Sequence, residues 1–208
     1  MNNRRSIVYI VDDDISVCRA VSLLLKSHGF KVQTFTRAAE FLAFKQLRLP
    51  SCLILDIRLP GINGFALQDL LTSRRLTIPV IFITGHGNIP MSVKGMKAGA
   101  IDFLSKPVTE KKLLGAVTQA ILKNKIQIKE QSAISKIKRR IKTLSPRELE
   151  VFRLVAKGML SKQIARKLGT ALQTIKVHRG RVMQKMQAKT VTELIHFAQK
   201  CGIVSSQR

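Results

Sequence analysis

Several side chains suited to phosphoryl transfer lie far apart in this chain, each at or just after a short run that is typical of a β-strand. They are the carboxylates Asp12, Asp13, Asp14 and Asp56, the hydroxyl group of Thr84 and the amine of Lys106. An aspartate can act as a nucleophile and form an aspartyl phosphate. A divalent cation and a lysine would neutralise the phosphoryl oxygens, and a threonine hydroxyl would donate one more hydrogen bond. The residue types therefore indicate phosphoryl transfer to a carboxylate.

Each of these side chains also has an ordinary structural interpretation. An aspartate after a buried strand often caps the next helix or opens a turn, and we expect Asp14 to cap a helix that begins at Ile15. Thr84 could simply end a strand, and Lys106 could be a solvated surface residue. Carboxylates clustered at the edge of a sheet repel one another unless a cation neutralises them, and a few hard oxygen ligands with room for water suit Mg²⁺. Their joint placement therefore favours a site that uses Mg²⁺ as its cofactor.

Short β-rich runs alternate with helical stretches from Ile7 to about Lys123. The strand candidates are Ile7 to Val11, Lys31 to Phe35, Cys52 to Leu55, Val80 to Ile83 and Asp102 to Leu104; the helix candidates are Ile15 to Ser27, Arg37 to Leu47, Phe65 to Arg74, Ile89 to Lys97 and a helix from Val108 onward. This alternation predicts an α/β fold, a flavodoxin-like doubly wound parallel sheet of five strands. Because parallel strands end at one edge of such a sheet, the polar side chains are expected to converge there.

Four short segments place these residues among characteristic neighbours. They are Val11-Asp12-Asp13-Asp14, Leu55-Asp56-Ile57-Arg58-Leu59-Pro60-Gly61, Ile83-Thr84-Gly85-His86-Gly87 and Phe103-Leu104-Ser105-Lys106-Pro107. In this order they resemble the receiver domain of two-component response regulators. The stretch from Ile78 to Pro107, with its Thr-Gly-His-Gly and Met-Lys-Ala-Gly-Ala, is most similar to the FixJ type.

The resemblance implies a role for each matching position. Asp56 is the implied phosphoacceptor, and a cognate histidine kinase is the implied donor of the phosphate. The implied ligands of Mg²⁺ are Asp12, Asp13, Asp56 and the backbone carbonyl of Arg58, the implied phosphoryl contacts are Thr84 and Lys106, and the implied aromatic switch is Phe103. Lys94 departs from the pattern, because the family often has an acidic residue there, on a surface that such receivers use for pairing.

The positive charge of the chain is concentrated in its C-terminal part. The net charge is +25, of which residues 1–122 contribute +8 and residues 123–208 contribute +17. A basic segment gains free energy by releasing counterions from phosphates, so we expect a nucleic-acid partner. An acidic membrane is the weaker alternative, because no apolar run is long enough to span a bilayer and no Lys-rich helix carries Trp or Phe anchors.

The N-terminus and the cysteines indicate a cytoplasmic protein. Arg4 and Arg5 resemble the start of a signal peptide, but the apolar stretch that follows is too short and runs into three aspartates. The cysteines Cys18, Cys52 and Cys201 lack the spacing of a metal site, and a reducing compartment suits them better than a disulfide framework.

A basic linker and a small helical domain follow the first domain. We predict domain boundaries at 1–122, 123–142 and 143–208, with the linker as an extension of the fifth helix followed by a looser basic segment. Ser145-Pro146-Arg147-Glu148 and Thr190-Val191-Thr192-Glu193 are capping boxes that open the first and last of four helices. The second helix is predicted from about Ser161 to Leu168 and the third from about Leu172 to Gln187. Four short helices predict an all-α helix-turn-helix domain.

The third helix has an outer face suited to the major groove of double-stranded DNA. Its apolar positions Ile175, Val182, Met183 and Met186 recur at helical spacing and should face the core. The opposite stripe is Gln173, Lys176, Val177, Gly180 and Gln184, flanked by Arg179, Arg181 and Lys185. Amides and lysine can hydrogen-bond base edges, valine can contact a thymine methyl group, and glycine allows a close approach. A merely soluble basic helix is the alternative.

The segment from Ser145 to Ala198 resembles the DNA-binding domain of the LuxR/FixJ type. The matching stretches are Glu148-Leu149-Glu150-Val151, Lys162-Gln163-Ile164-Ala165 and Thr174-Ile175-Lys176-Val177-His178-Arg179, with Lys185-Met186. Base reading by Lys176, Val177 and the Gly180 position is implied, as are phosphate contact or packing by Thr174, His178, Arg179 and Arg181. Leu160 and Ala171 depart from the family pattern, which usually has Ser or Thr before the second helix and Ser as the cap of the third. Neither side chain can cap a helix, so both helix starts are expected to lack a cap unless Ser161 or Thr170 substitutes.

These observations predict a transcriptional regulator that is controlled by phosphorylation, forms a homodimer when phosphorylated and binds a two-fold DNA site. A constitutive DNA-binding protein, with the first domain serving only for dimerisation, is the first alternative. The second is an aspartate-nucleophile phosphatase, which would need an acid or base beside Asp56, and Ile57-Arg58 supplies none. We therefore expect no enzymatic turnover beyond slow self-dephosphorylation, and no membrane partner.

Overall fold

The first part of the chain folds around the expected parallel sheet. The computed structural model describes residues 6–74, 76–85 and 88–204, so Arg4, Arg5 and His86 lie outside the described residues. Contacts divide the chain into two compact units, and the boundary between them in the sequence lies between Ile128 and Lys129. The strands of the first unit are β1 (Ile7–Val11), β2 (Lys31–Phe35), β3 (Ser51–Asp56), β4 (Val80–Thr84) and β5 (Asp102–Ser105). Their order is β2-β1-β3-β4-β5 and every pair is parallel, which confirms the predicted fold class.

The sheet buries side chains on both faces. In β1, Tyr9 and Val11 pack on one face, whereas Val8 and Ile10 pack on the other. All six residues of β3 are buried. Near-continuous apolar strands of this kind are expected where helices cover both faces of a parallel sheet. Their burial fixes the strand register, and with it the side chains at the strand ends.

Helices α1 (Ile15–Ser27), α3 (Gly64–Ser73) and α4 (Ile89–Lys97) agree with the sequence-based expectation to within a residue. Helix α2 (Ala38–Ala43) is shorter than the predicted Arg37 to Leu47. The chain leaves the helix at Phe44, which takes an extended backbone and packs its ring near Tyr9 and Phe35. The Tyr9 hydroxyl then accepts a hydrogen bond from the Arg48 amide at 2.7 Å. Tertiary packing thus overrides the helical pattern here.

Helix α5 (Glu110–Ile141) is much longer than predicted. The sequence predicted a looser basic segment before Lys142. This prediction was wrong, because the helix continues to Ile141. Neither glycine nor proline occurs between Ala116 and Ser145, so nothing in the backbone interrupts the helix. Ile137 is buried among residues of the second unit, which gives the last turns a packing partner.

Up to residue 204, where the described residues end, the second unit consists of the end of α5 and four further helices. These are α6 (Pro146–Ala156), α7 (Ser161–Lys167), α8 (Leu172–Met186) and α9 (Val191–Lys200). The capping box at Ser145 is confirmed, since Glu148 Oε2 accepts from the Ser145 amide at 2.8 Å and Ser145 Oγ accepts from the Glu148 amide at 3.3 Å. The box at Thr190 is incomplete, because the carboxylate of Glu193 accepts from the Lys189 amide instead.

Candidate functional site

The carboxyl ends of two neighbouring strands bring the predicted acidic residues together. Asp12 follows β1, Asp56 ends β3, and carboxylate oxygens of Asp12, Asp13 and Asp56 all lie within 4.8 Å of one another. Asp12 and Asp56 are buried, whereas Asp13 is exposed. The sheet therefore assembles an acidic cluster that opens to solvent on the side of Asp13.

Lys106 lies between the two buried carboxylates. Its Nζ donates to Asp12 Oδ2 at 2.7 Å and to Asp56 Oδ2 at 2.8 Å. Burial raises the pKa of Asp12, although the hydrogen bond from Lys106 opposes this effect. Burial alone would lower the pKa of Lys106, but its hydrogen bonds to Asp12 and Asp56 outweigh burial and raise that pKa. Lys106 therefore stays charged and compensates part of the negative charge.

The donor set fits a small divalent cation. Three carboxylates and one ammonium leave two negative charges uncompensated in the cluster. Hard carboxylate oxygens with one open side are typical of Mg²⁺, which keeps several waters when it binds. Asp12, Asp13 and Asp56 would hold the ion, and its chemistry would be to neutralise phosphoryl oxygens. Arg58 lies two residues after Asp56 and donates its amide to Asp56 Oδ1 at 3.1 Å.

Thr84 and Phe103 lie on the neighbouring strands. Thr84 ends β4 and is buried, and its carbonyl accepts a hydrogen bond from the Lys106 amide at 2.8 Å. Phe103 in β5 is half-buried, with its ring centroid 6.3 Å from that of Phe82. Thr84 thus lies one residue beyond the β4 position that pairs with Asp56, and Phe103 lies on the next strand, paired with Phe82.

Asp14 does not belong to the cluster. Its carboxylate accepts hydrogen bonds from the amides of Ser16 and Val17 at 2.8 and 3.2 Å, which confirms the predicted cap of α1. These amide bonds hold the pKa of Asp14 below its ordinary value.

Gly64, the residue before the predicted helix start at Phe65, is a site residue that sequence reasoning did not recognise. A Cβ at this position would overlap the carbonyl oxygen of Asp56 and lie 3.0 Å from the Cα of Ile57. The Gly64 amide donates to the Ile57 carbonyl at 3.0 Å, which closes the loop after β3. Only glycine permits this close approach. Gly61 lies three residues earlier and was the available signal, but this spacing does not distinguish a turn from a close contact.

Helix α8 presents much of the predicted stripe to solvent. Gln173, Lys176, Val177, Gly180 and Gln184 are exposed, together with Thr174 and Arg181. Ile175, Val182 and Met186 are fully buried on the opposite side. Their separation leaves a continuous surface of mostly polar side chains with one valine and one glycine, which can lie against base edges in a major groove.

Three other predicted DNA-binding residues contact their own domain. Lys185 Nζ donates to Glu148 Oε2 at 2.6 Å and to the Thr143 carbonyl at 3.2 Å. Arg179 donates to Ser161 Oγ at 3.1 Å, and Nδ1 of His178 is buried without a hydrogen-bond partner among the described residues. The contacts of Lys185 and Arg179, and the burial of His178 Nδ1, favour packing over base reading for these side chains.

The first turns of α7 and α8 lack side-chain caps, as the sequence predicts. Ser161 does not substitute, since its hydroxyl is engaged by Arg179. Gln163 instead accepts a hydrogen bond from the Leu160 amide at 2.8 Å. This bond satisfies the amide of the capping residue but none of those in the first helical turn.

Two protein-family models match the chain. The model described as response regulator receiver domain matches residues 8–118, and the model described as bacterial regulatory proteins, luxR family, matches residues 142–198. Both agree with the resemblances inferred from the sequence. Within the described residues, no helix is both long and apolar enough to cross a bilayer.

Relatives match over nearly the full length of the chain. Nodulation protein W of Bradyrhizobium diazoefficiens is 44% identical over 199 residues, which cover 96% of this chain and 88% of that protein. Transcriptional regulatory protein FixJ of the same species is 34% identical over 198 residues, covering 95% and 97%. The solved structure of response regulator StyR superposes with a TM-score of 0.81 at 41% identity, covering 94% of this chain and 99% of that one.

Proposed function

The chain belongs to the FixJ-type two-component response regulators, with a receiver domain and a LuxR-type DNA-binding domain, and we propose that phosphorylation of Asp56 controls its action as a transcriptional regulator. The observation that carries this proposal is the position of Lys106 between Asp12 and Asp56. A lysine held there can neutralise a phosphoryl group arriving at Asp56. A histidine kinase is the proposed donor, and the cytoplasm the proposed location.

The residues of the receiver domain have distinct parts in this proposal. Asp56 accepts the phosphoryl group, and Asp12, Asp13 and Asp56, with the carbonyl of Arg58, would hold Mg²⁺. Lys106 and the hydroxyl of Thr84 then bind the phosphoryl oxygens. Since Thr84 and Phe103 lie on adjacent strands, movement of Thr84 toward the phosphate leaves room for Phe103 to turn inward. Phosphorylation thereby biases an element that already has two states.

Pairing of two chains is the proposed consequence. Helix α4 exposes an apolar stripe, with Ile89, Val93 and Met96 showing 79%, 45% and 47% of their surfaces to solvent. The spacing of these residues places them on one face of the helix. Lys94, where an acidic residue is frequent in the family, lies over the Phe65 ring at 4.9 Å from its centroid. The stripe supports a homodimer formed through α4 and β5.

Base reading on a two-fold DNA site is assigned to the exposed face of α8. Lys176, Val177 and Gly180 lie toward its middle, with Gln173 and Thr174 in its first turn. Arg181 is exposed on the flank and suits a phosphate contact, whereas Arg179, His178 and Lys185 support the helix. A homodimer would present two such helices to a two-fold site.

The experiment that tests this function measures molecular mass in solution by light scattering, with Mg²⁺ and with or without beryllofluoride as a mimic of the aspartyl phosphate. The wild-type protein should change from monomer to dimer, and Asp56→Asn should not. A dimer that forms equally without the mimic, with DNA binding intact, would instead support a constitutive regulator. Any turnover should be limited to slow hydrolysis of the aspartyl phosphate.

A further inference from the structure

The last turns of α5 carry a group of cations that no described function uses. Lys138 and Arg139 lie in the final helical turn and Lys142 follows it. All three are exposed, and in the described part of the chain none of their side chains forms an ion pair. They line a shallow surface depression together with Gln131, Ile134 and Ser135. Cations next to amide and hydroxyl donors suit a phosphate ester.

This face is held firmly on the second unit. Ile137, on the opposite side of the helix, is 4% exposed and packs into the same core as Val182 and Met186 of α8. Arg140 Nη1 donates to the Met186 carbonyl at 3.1 Å, and its Nη2 donates to the side chain of Gln187. The segment is therefore a fixed part of the unit that contains α8, with its cations turned outward.

The charges of the unit leave these cations available to an external anion. Residues 129–208 contain 19 lysines and arginines but only four acidic residues. Three of the four are engaged, since Glu148 pairs with Lys185, Glu150 pairs with Arg147, and Glu193 accepts from a backbone amide. The fourth, Glu130, lies on α5 eight residues before Lys138, which is roughly 12 Å along the helix. An excess of this size, attached to a helix-turn-helix, is matched by the phosphates of double-stranded DNA.

The position of the segment decides which part of the DNA it can reach. Arg140 binds the C-terminal end of α8, a helix of 15 residues. The base-reading residues Lys176 and Gly180 precede Met186 by ten and six residues, which is roughly 15 and 9 Å at ~1.5 Å per residue. Bases read by α8 and a phosphate bound by α5 would thus be several base pairs apart, so the segment would contact the backbone that flanks the site.

We propose that Lys138, Arg139 and Lys142 form a second, sequence-independent contact with the phosphate backbone of double-stranded DNA, positioned by Ile137 and Arg140. The inference rests on the proposed DNA binding by α8 and adds to it a binding surface outside the helix-turn-helix. Phosphate contacts fix affinity and orientation rather than sequence preference. The expected signature is therefore a change in salt dependence that is the same for every DNA sequence.

The test compares two triple variants of the full chain, each of which loses three positive charges at different positions. Lys138→Gln/Arg139→Gln/Lys142→Gln removes the proposed contact, and Arg153→Gln/Lys157→Gln/Lys200→Gln removes exposed cations from the ends of α6 and α9. Binding to a fluorescein-labelled duplex of arbitrary sequence is measured by anisotropy across a range of KCl concentrations. Thermal unfolding of each variant checks that the fold is kept.

The first variant should lower affinity on the order of tenfold at moderate salt and make the slope of log affinity against log salt shallower by about 2 to 3, since each phosphate contact contributes about 0.9. The second should change the slope by less than about 1, because it alters only the general field. Equal slopes for both variants would overturn the inference while leaving DNA binding by α8 intact. If the wild-type protein binds no duplex, the proposed function fails, and the inference with it.

Discussion

At the scale of the residue, Lys106 links the two buried carboxylates of the acidic cluster. Its removal should change phosphorylation and Mg²⁺ binding in opposite directions. Lys106→Met should slow phosphorylation by a small-molecule phosphodonor at least tenfold, because the phosphoryl oxygens lose a charged donor. The same variant should bind Mg²⁺ more tightly than the wild type, because Asp12 and Asp56 no longer share their charge with an ammonium. Phosphorylation is measured by the mobility shift in Phos-tag gels, and the affinity for Mg²⁺ is measured by calorimetry.

The control for this prediction is Lys112→Met, which changes an exposed lysine on α5 of the same domain. It should alter neither quantity. Weaker Mg²⁺ binding in Lys106→Met would contradict the picture of a lysine that competes with the ion for the same oxygens.

Gly64 supplies a second prediction at this scale. Gly64→Ala places a methyl group against the Asp56 carbonyl, so the loop after β3 must move, at a cost of about 1–3 kcal/mol of unfolding free energy. Gly115→Ala is the matched control, because its Cβ would meet nothing within 4 Å in the interior of α5. Alanine there should stabilise the helix by roughly 0.5–1 kcal/mol. Urea denaturation measures both, and equal effects of the two substitutions would show that the close approach has no energetic weight.

Sequence reasoning predicted correctly which residues form the acidic cluster, but it did not recognise the glycine that allows the backbone to pass beside it. Asp12, Asp56 and Lys106 could be placed together because parallel strands end at one edge, a rule that needs no atomic detail. Gly64 could not be recognised, because its role depends on the path of the backbone beside Asp56. Lys185 was grouped with the DNA-binding face because helical periodicity does not reveal that Glu148 of α6 lies within its reach.

At the scale of the element, the pair of Lys185 and Glu148 joins the C-terminal end of α8 to the first turn of α6. The hydrogen bond from Lys185 and then the amide of Ser145 hold the pKa of Glu148 below its ordinary value. A carboxyl whose pKa is lower in the folded state than in the unfolded state stabilises the fold above its unfolded pKa, and this stability is lost as the pH falls through the folded pKa. The second unit should therefore lose stability as the pH falls below about 4.5, the ordinary pKa of a glutamate carboxyl.

Lys185→Gln should lower the unfolding free energy at neutral pH by about 1–2 kcal/mol, because the buried Glu148 carboxylate loses a charged partner. The variant should also be less sensitive to acid than the wild type, since less of the Glu148 contribution remains to be lost. Lys176→Gln, an exposed position on the same helix, should leave stability unchanged but weaken DNA binding. Thermal melts between neutral pH and pH about 3 measure the effect. An unchanged melting curve for Lys185→Gln would return Lys185 to the DNA-binding face.

The uncapped start of α8 leads to a prediction of increased stability. Ala171 has the extended backbone of a capping residue but offers no acceptor to the amides of the first turn. Ala171→Ser should add about 0.5–1 kcal/mol to the unfolding free energy by accepting one of these bonds. Ala133→Ser, within α5, should instead be neutral or slightly destabilising, because serine is a weaker helix former than alanine. A stability gain that both substitutions share would argue against capping as its cause.

At the scale of the whole molecule, the proposed function requires that phosphorylation at one end of the sheet lead to assembly of two chains. The exposed stripe of α4 is the surface that supports this proposal, since burial of large apolar side chains is the main favourable contribution to protein association. Val93→Asp places a charge within the stripe and should reduce the fraction of dimer formed with beryllofluoride at least tenfold, through desolvation of the carboxylate. Light scattering over a range of protein concentrations gives the dimerisation constants.

Leu23→Asp on α1 is the matched control for this change, because Leu23 is an exposed apolar residue of the same domain at 74% exposure, outside the proposed surface. It should dimerise like the wild type. Both variants should still be phosphorylated at Asp56, since neither residue contacts the acidic cluster, and this readout separates loss of pairing from loss of the phosphoacceptor. If Leu23→Asp abolished the dimer and Val93→Asp did not, pairing would depend on α1, and the route from Thr84 and Phe103 to α4 would have to be abandoned. If Val93→Asp alone lost the dimer, its binding to a two-fold DNA site should weaken while its binding to a single half-site stays the same, because one chain carries only one copy of α8.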